Sequence, residues 1–223
     1  MIKGLSDMRD KEQDAAQMAV KRKEFIEKGF ELFVNRSIEA VSMQEIADAS
    51  GYGVATLYRY FRTKQDFVVE VAVKSWKNFQ EENRKRRPAK DFSGMTAADI
   101  FEFYLDSFLE LYRGYTDLLK FNQFFNVYVQ SEHLDRTTLE PYQELIRRLK
   151  ERFHLMYLKA EQDKTIRTDE PEEKMFSTTL HLMLAAVTRY AVGLIYIPEK
   201  DFEPEEELKD LKDMLMEKYT TAG

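Results

Sequence analysis

The chain has 223 residues, with 16 Phe, 12 Tyr and 33% charged side chains, enough apolar matter for a sizeable core and too much for a disordered polymer. It contains no cysteine, which excludes disulfides and thiolate zinc sites and fits a reducing, cytoplasmic setting. The net charge of −6 is unevenly spread: residues 1–87 carry 17 basic against 14 acidic side chains, and the remainder 17 against 26. Positive charge therefore gathers at the N-terminal end, the end to meet phosphate if either does.

Residues 1–14 are polar and show no apolar stretch followed by a small-residue cleavage site, so no signal peptide is expected. From about Asp14 to Asn35, the positions Phe25, Ile26, Gly29, Phe30 and Phe33 recur at three and four residues. That spacing predicts a helix with one apolar face, with Lys21, Arg22, Lys23, Lys28 and Glu31 mostly on the solvent side. Ser42-Met43-Gln44-Glu45 has the form of a capping box and predicts a short helix from Ser42 to about Ala49, exposing Met43 and burying Ile46 and Ala47. Gly51 supplies a tight turn, and a second short helix is expected from about Val54 to Phe61. Two short helices about a glycine turn form the helix-turn-helix pattern, whose second helix enters the major groove of DNA.

Thr63-Lys64-Gln65-Asp66 and Thr96-Ala97-Ala98-Asp99 mark two further helix starts. The helix from Thr63 is expected to run to about Arg87, where Pro88 forbids continuation. At ~1.5 Å per residue it spans roughly 36 Å. The run Arg84-Lys85-Arg86-Arg87 suits the negative pole of that helix, or else contacts DNA. Residues 90–94 are the best domain boundary. Beyond it helices are expected near 96–113, 116–131, 138–161, 170–196 and 205–219, with Pro171 in a first turn and Pro198 closing the fourth. The most apolar stretch, 180–197, is broken by His181, Thr188 and Arg189 and falls short of the roughly 18 apolar residues of a membrane span. No repeat is visible.

The run from Ile46 to Lys64 (Ile46-Ala47, Ala49, Gly51, Thr56-Leu57-Tyr58, Tyr60-Phe61 and Lys64), with Phe25-Ile26 and Leu32-Phe33 before it, resembles the signature of the TetR family of transcriptional regulators. The resemblance covers about residues 25–70. It implies an all-α fold of about nine helices: a helix-turn-helix DNA-binding domain over 1–67, a linking helix over 63–87, and a ligand-binding and dimerisation domain over 96–223. It also implies a repressor that grips a pseudo-palindromic operator as a homodimer and is released by a small effector. In that reading Ser42, Thr56, Tyr58, Tyr60 and Lys64 meet phosphate, and Gly53, Val54, Ala55 and Arg59 face base edges. Leu57 and Phe61 pack inward. The chain departs from the family in three places: Gly53 replaces a frequent capping Ser, Ala55 a frequent Gly, and Ser37 a turn Gly.

The effector side is less defined. The helix around 118–129 is apolar on most sides, and Asn122 and Asn126 lie one turn apart on it, facing either a polar ligand group or neighbouring helices. Trp76, Phe79, Tyr104, Phe108, Tyr112 and Phe125 line a cavity with them, or are plain core. His181 is either a structural histidine or a ligand contact. A stripe of Phe176, Leu180, Met183, Val187, Tyr190 and Leu194, with Leu208, Leu211 and Leu215 on the last helix, forms a dimer interface or packs within one subunit. No nucleophile motif, phosphate loop or metal spacing is present, so neither an enzyme nor a cofactor or metal is expected. The alternatives kept open are a TetR-like protein controlled by a protein partner and, more remotely, a helical carrier or enzyme.

Overall fold

The computed structural model describes residues 2–86, 92–194, 196 and 203–221. These form nine α-helices: α1 (Ile2–Asn35), α2 (Met43–Ala49), α3 (Val54–Tyr60), α4 (Lys64–Arg86), α5 (Ala97–Gly114), α6 (Thr116–Ser131), α7 (Arg136–Asp163), α8 (Glu172–Val192) and α9 (Pro204–Tyr219). A 3-10 turn, Phe92–Gly94, precedes α5. The chain divides into two compact units. One holds Met1–Ser75 with Phe124–Pro141, the other Trp76–Gln123 with Tyr142–Gly223.

In the first unit, Phe25, Phe33, Ile38, Ile46, Leu57 and Phe67 are fully buried, each contributing about 1.5–3 kcal/mol by leaving water. Phe61 and Phe67 meet edge-to-face with centroids 4.8 Å apart, and Phe33 lies 6.0 Å from Phe67. α1 is longer than the apolar spacing implied and reaches back to Ile2. The added stretch contains one glycine and no proline, so nothing in it stops a helix. Arg22, assigned above to the solvent side, instead crosses to α4, where its guanidinium pairs with Glu70.

The second unit is built on Phe101, Leu105, Phe153, Met156, Met175, Met183, Leu215 and Tyr219. The first amides of α5 each find an acceptor: Thr96 and Asp99 form a reciprocal capping box, and the Ala97 and Ala98 amides between them donate to Asp163 Oδ2 and Thr165 Oγ1 at 2.7 and 3.0 Å. α7 begins at Arg136 and carries Pro141 within it. α8 starts after Pro171, which stands at its N-cap and not within its first turn. It stops at Val192, short of the expected end, because Gly193 turns the chain with φ 117°. The expected stops at Arg87, Pro88 and Pro198 lie outside the described residues.

Candidate nucleic-acid interface

Local chemistry builds the interface from α2 upward. The Ser42 hydroxyl accepts from the Glu45 amide at 3.2 Å, while the Ser42 amide and hydroxyl both donate to Glu45 Oε2 at 2.8 Å. Arg36 reaches the other carboxylate oxygen at 2.6 Å. These donors, the Ser42 amide first, hold the Glu45 carboxyl down at about 2. The Ser42 hydroxyl has a single proton, and it goes to Glu45. Met43 is buried at 5% exposure, contrary to the reading above, because positions 43, 46 and 47 share one helical face.

The turn follows. Gly51 has φ 75°, its amide donates to the Asp48 carbonyl at 3.0 Å, and the Tyr52 amide donates to the Ala47 carbonyl at 2.9 Å. This closes α2 and redirects the chain within three residues. Gly53 is the N-cap of α3 and offers no side-chain cap. A Cβ there would meet no atom within 4 Å, so the missing serine is not a matter of crowding.

α3 sorts its residues sharply. Leu57 is fully buried and the following Phe61 nearly so, anchoring the helix in the core. Gly53, Ala55, Tyr58 and Arg59 are exposed, Val54, Thr56 and Tyr60 half-buried. Tyr58, at 50% exposure, is a large aromatic residue facing solvent. Ser42 is exposed at the start of α2. Lys64 differs from these. Its ammonium donates to the Glu39 carbonyl at 3.4 Å and lies over the Tyr128 ring, and burial lowers its pKa. Residues 23–71 match the family model for bacterial regulatory proteins of the tetR family.

The DNA-binding region of this chain is that of a TetR-family regulator.

Members of that family are DNA-binding transcriptional regulators, transcription factors and not enzymes. Solved structures share its fold. A transcriptional regulator from Saccharomonospora viridis in complex with choline superposes with a TM-score of 0.69 at 15% identity, covering 92% of this chain and 100% of that one. A TetR family protein from Vibrio parahaemolyticus gives 0.63 at 16%, covering 91% and 100%. AibR, in complex with isovaleryl coenzyme A and operator DNA, gives 0.62 at 16%, covering 88% and 98%. No curated protein matches the chain.

Beyond the matched region the candidate effector residues fall into separate groups. Trp76 and Phe79 on α4 lie 6.0 Å apart, and Phe79 stacks edge-on against Tyr115 at 4.8 Å. The Tyr142 hydroxyl, absent from the sequence-based set, donates to Asn122 Oδ1 at 3.3 Å and also interacts with the Trp76 indole. Burial pushes the Tyr142 phenol up to about 12. Asn122 is buried at 2% exposure and so finds a neighbouring helix. Asn126, one turn on, is exposed, because the buried arc of α6 narrows toward its end. The two amides do not share a pocket. Tyr104 and Phe108 pack against the α5–α7–α8 core instead, with the Tyr104 hydroxyl donating to the Arg152 carbonyl at 3.0 Å. Tyr112 meets Tyr190 at 6.4 Å. Phe125 is buried in the first unit. His181 is exposed on α8.

Of the interface stripe, Met183, Val187 and Leu208 are fully buried within this one chain, and Leu215 nearly so. Phe176, Leu180, Tyr190, Leu194 and Leu211 are half-buried. The large apolar side chains that face outward on α8 and α9 are Leu182, Val192 and Met214. Among the described residues no group of three or more His, Asp or Glu could hold a metal ion, and no helix is long and apolar enough to cross a membrane.

Proposed function

We propose that this regulator is a cytoplasmic repressor that binds a pseudo-palindromic operator as a homodimer and leaves it when a small apolar or aromatic effector binds the helical region beyond α4. The outward face of α3 carries this reading. Ala55, Tyr58 and Arg59 are exposed while Leu57 is fully buried, so a groove-reading surface stands on a rigid core. Small residues at 53–55 permit close approach to base edges, and Arg59 supplies the fork that pairs with guanine. Two such helices about 34–36 Å apart read successive major grooves.

The dimer contact fits the outward apolar side chains Leu182, Val192 and Met214 better than the stripe through Met183 and Val187, whose burial is complete without a partner. A Leu182→Glu, Met214→Glu variant should sediment as a folded monomer. An effector can shift the DNA-bound population only by preferring the state that misfits the operator. Similar structures hold choline and isovaleryl coenzyme A, so small-molecule binding has precedent in this architecture.

The test is selection of bound duplexes from a randomised pool, followed by filter binding at rising salt. A palindromic motif with salt-sensitive affinity is the expected result. No salt-sensitive binding to any duplex removes the reading. Titrating apolar and aromatic small molecules into the complex, with the fluorescence of Trp76 as reporter, tests the switch. If none releases DNA, control by a protein partner takes its place.

A further inference from the structure

The recognition helix α3 has only seven residues, too few to hold its own shape or direction in water. Both its ends are gripped by one short stretch of α1, residues 21–25. At the C-terminal end, Tyr60 is the last helical residue, and its carbonyl is among those that a helix leaves without an internal partner. Arg22 Nη1 donates to that carbonyl at 3.0 Å. The same guanidinium donates through Nε to Glu70 Oε1 at 2.6 Å and through Nη2 to Glu70 Oε2, and stacks 4.5 Å over the Phe61 ring. One planar fork thus ties α1, α3 and α4 together, which a point-like ammonium is not shaped to do.

At the N-terminal end, Tyr52 immediately precedes the Gly53 N-cap. Its hydroxyl donates to Glu24 Oε2 at 2.6 Å, its ring lies 5.2 Å from Phe25, and the Lys21 ammonium sits 5.5 Å from its centroid. Phe25 fills the space between, within 5.7 Å of the Tyr60 ring and 6.5 Å of Phe61. Base-edge hydrogen bonds keep to about 2.7–3.2 Å and weaken steeply when bent below about 120°, so a small swing of α3 at either end removes them.

We propose that Arg22 and Glu24 are positioning residues for DNA recognition: they hold the two ends of α3 at the angle the groove requires and touch no DNA themselves. This rests on the DNA-binding reading and goes beyond it, since it places specificity-setting contacts on a helix outside the helix-turn-helix.

The experiment measures affinity and its salt dependence on a duplex that the wild-type protein has selected from a random pool, well below the unfolding temperature. Wild-type binding is established first, so its absence counts against the DNA-binding reading and not against Arg22. Arg22→Gln and Glu24→Gln should each weaken binding, Arg22→Gln by roughly tenfold or more, with the slope of log affinity against log salt unchanged. Arg22→Lys should not restore binding. Glu70→Gln should weaken binding less, and the double variant Arg22→Gln, Glu70→Gln should bind no worse than Arg22→Gln alone. Should Arg22→Gln fail to fold by circular dichroism, Glu70→Gln and Tyr52→Phe carry the same test at the two ends of α3. A slope reduced by about 0.9 would make Arg22 a phosphate ligand and overturn the proposal. So would variants whose melting temperature falls while affinity stays unchanged, since the contacts then serve stability alone.

Discussion

The Lys64 ammonium lies 5.8 Å from the centroid of the Tyr128 ring, and the same group donates to the Glu39 carbonyl at 3.4 Å. Beside it, Gln65 reaches Glu132 at 3.5 Å. The start of α4 is thereby fastened to the end of α6, and burial, with the Glu132 and Glu39 carboxylates nearby, pushes the Tyr128 phenol up to about 12. A lysine held this way has little reach left for a phosphate. We therefore expect Lys64→Ala to leave the salt slope of DNA binding unchanged and to destabilise the protein by about 0.5–1 kcal/mol through the lost cation–π contact. Urea melts and filter binding check both halves. A fall of about 0.9 in the slope would restore Lys64 to the phosphate-contacting set.

Glu45 gives the DNA-binding unit an acid-sensitive catch. Its carboxyl is held at about 2 by the Ser42 amide, Arg36 and the Ser42 hydroxyl. A carboxyl with a depressed folded-state pKa contributes stability that is present above its unfolded value and lost as pH falls through the folded one. The α2 cap should therefore hold at neutral pH and loosen between about 4.5 and 2. The Glu45 carboxyl carbon shift, followed by NMR, should titrate near the lower end. In Glu45→Gln, α2 should lose this part of its acid dependence. Ser42→Ala should cost about 1 kcal/mol at neutral pH by removing the N-cap.

Gly29 on α1 faces the Phe67 ring on α4. A Cβ at this position would lie 2.4 and 2.5 Å from two ring atoms of Phe67. Phe67 is fully buried and wedged between Phe61 at 4.8 Å and Phe33 at 6.0 Å, so the ring has nowhere to move. Alanine in place of a helical glycine gains roughly 0.5–1 kcal/mol in propensity. Overpacking of a tight core costs about 1–3 kcal/mol and should win. Gly29→Ala should lower the urea midpoint, and an unchanged or raised midpoint would show that α1 slides to make room.

What could be read from the sequence is what depends on near neighbours. Ser42 with Glu45 and Thr96 with Asp99 are caps three residues apart, and both form reciprocal boxes. Gly51 takes the positive φ its turn needs, and Leu57 with Phe61 point inward as four-residue spacing requires. What escaped depends on partners far along the chain. Arg22 reads as a surface charge until folding brings Glu70, 48 residues away, against it. Lys64 reads as a phosphate ligand, and nothing near it in sequence announces the Tyr128 ring over which it lies. Met183 and Val187 carry an apolar stripe that suits a second copy as well as it suits α9, and only their complete burial in one chain decides for the core. Tyr142 lies in no stripe, and the signal was the presence of a buried amide, Asn122, that had to find a donor.

The Tyr142 hydroxyl links the second unit's segments of three helices, since it donates to Asn122 on α6 at 3.3 Å and interacts with Trp76 on α4. Asn122 is buried at 2% exposure. Removing the oxygen leaves the amide carbonyl without this donor and the indole without this partner, and an unsatisfied buried group costs about 1–3 kcal/mol. Tyr142→Phe keeps the ring and its packing, so the loss it records is that of the polar link. We expect destabilisation in that range by urea melt. Because Trp76 is the single tryptophan of the chain, its emission should also shift when its hydroxyl partner is removed. A Tyr142→Phe protein with wild-type stability and unaltered Trp76 emission would mean that these three helices are held in place by apolar packing alone, and that an effector reaching Trp76 has no hydrogen-bonded route to α6 and α7.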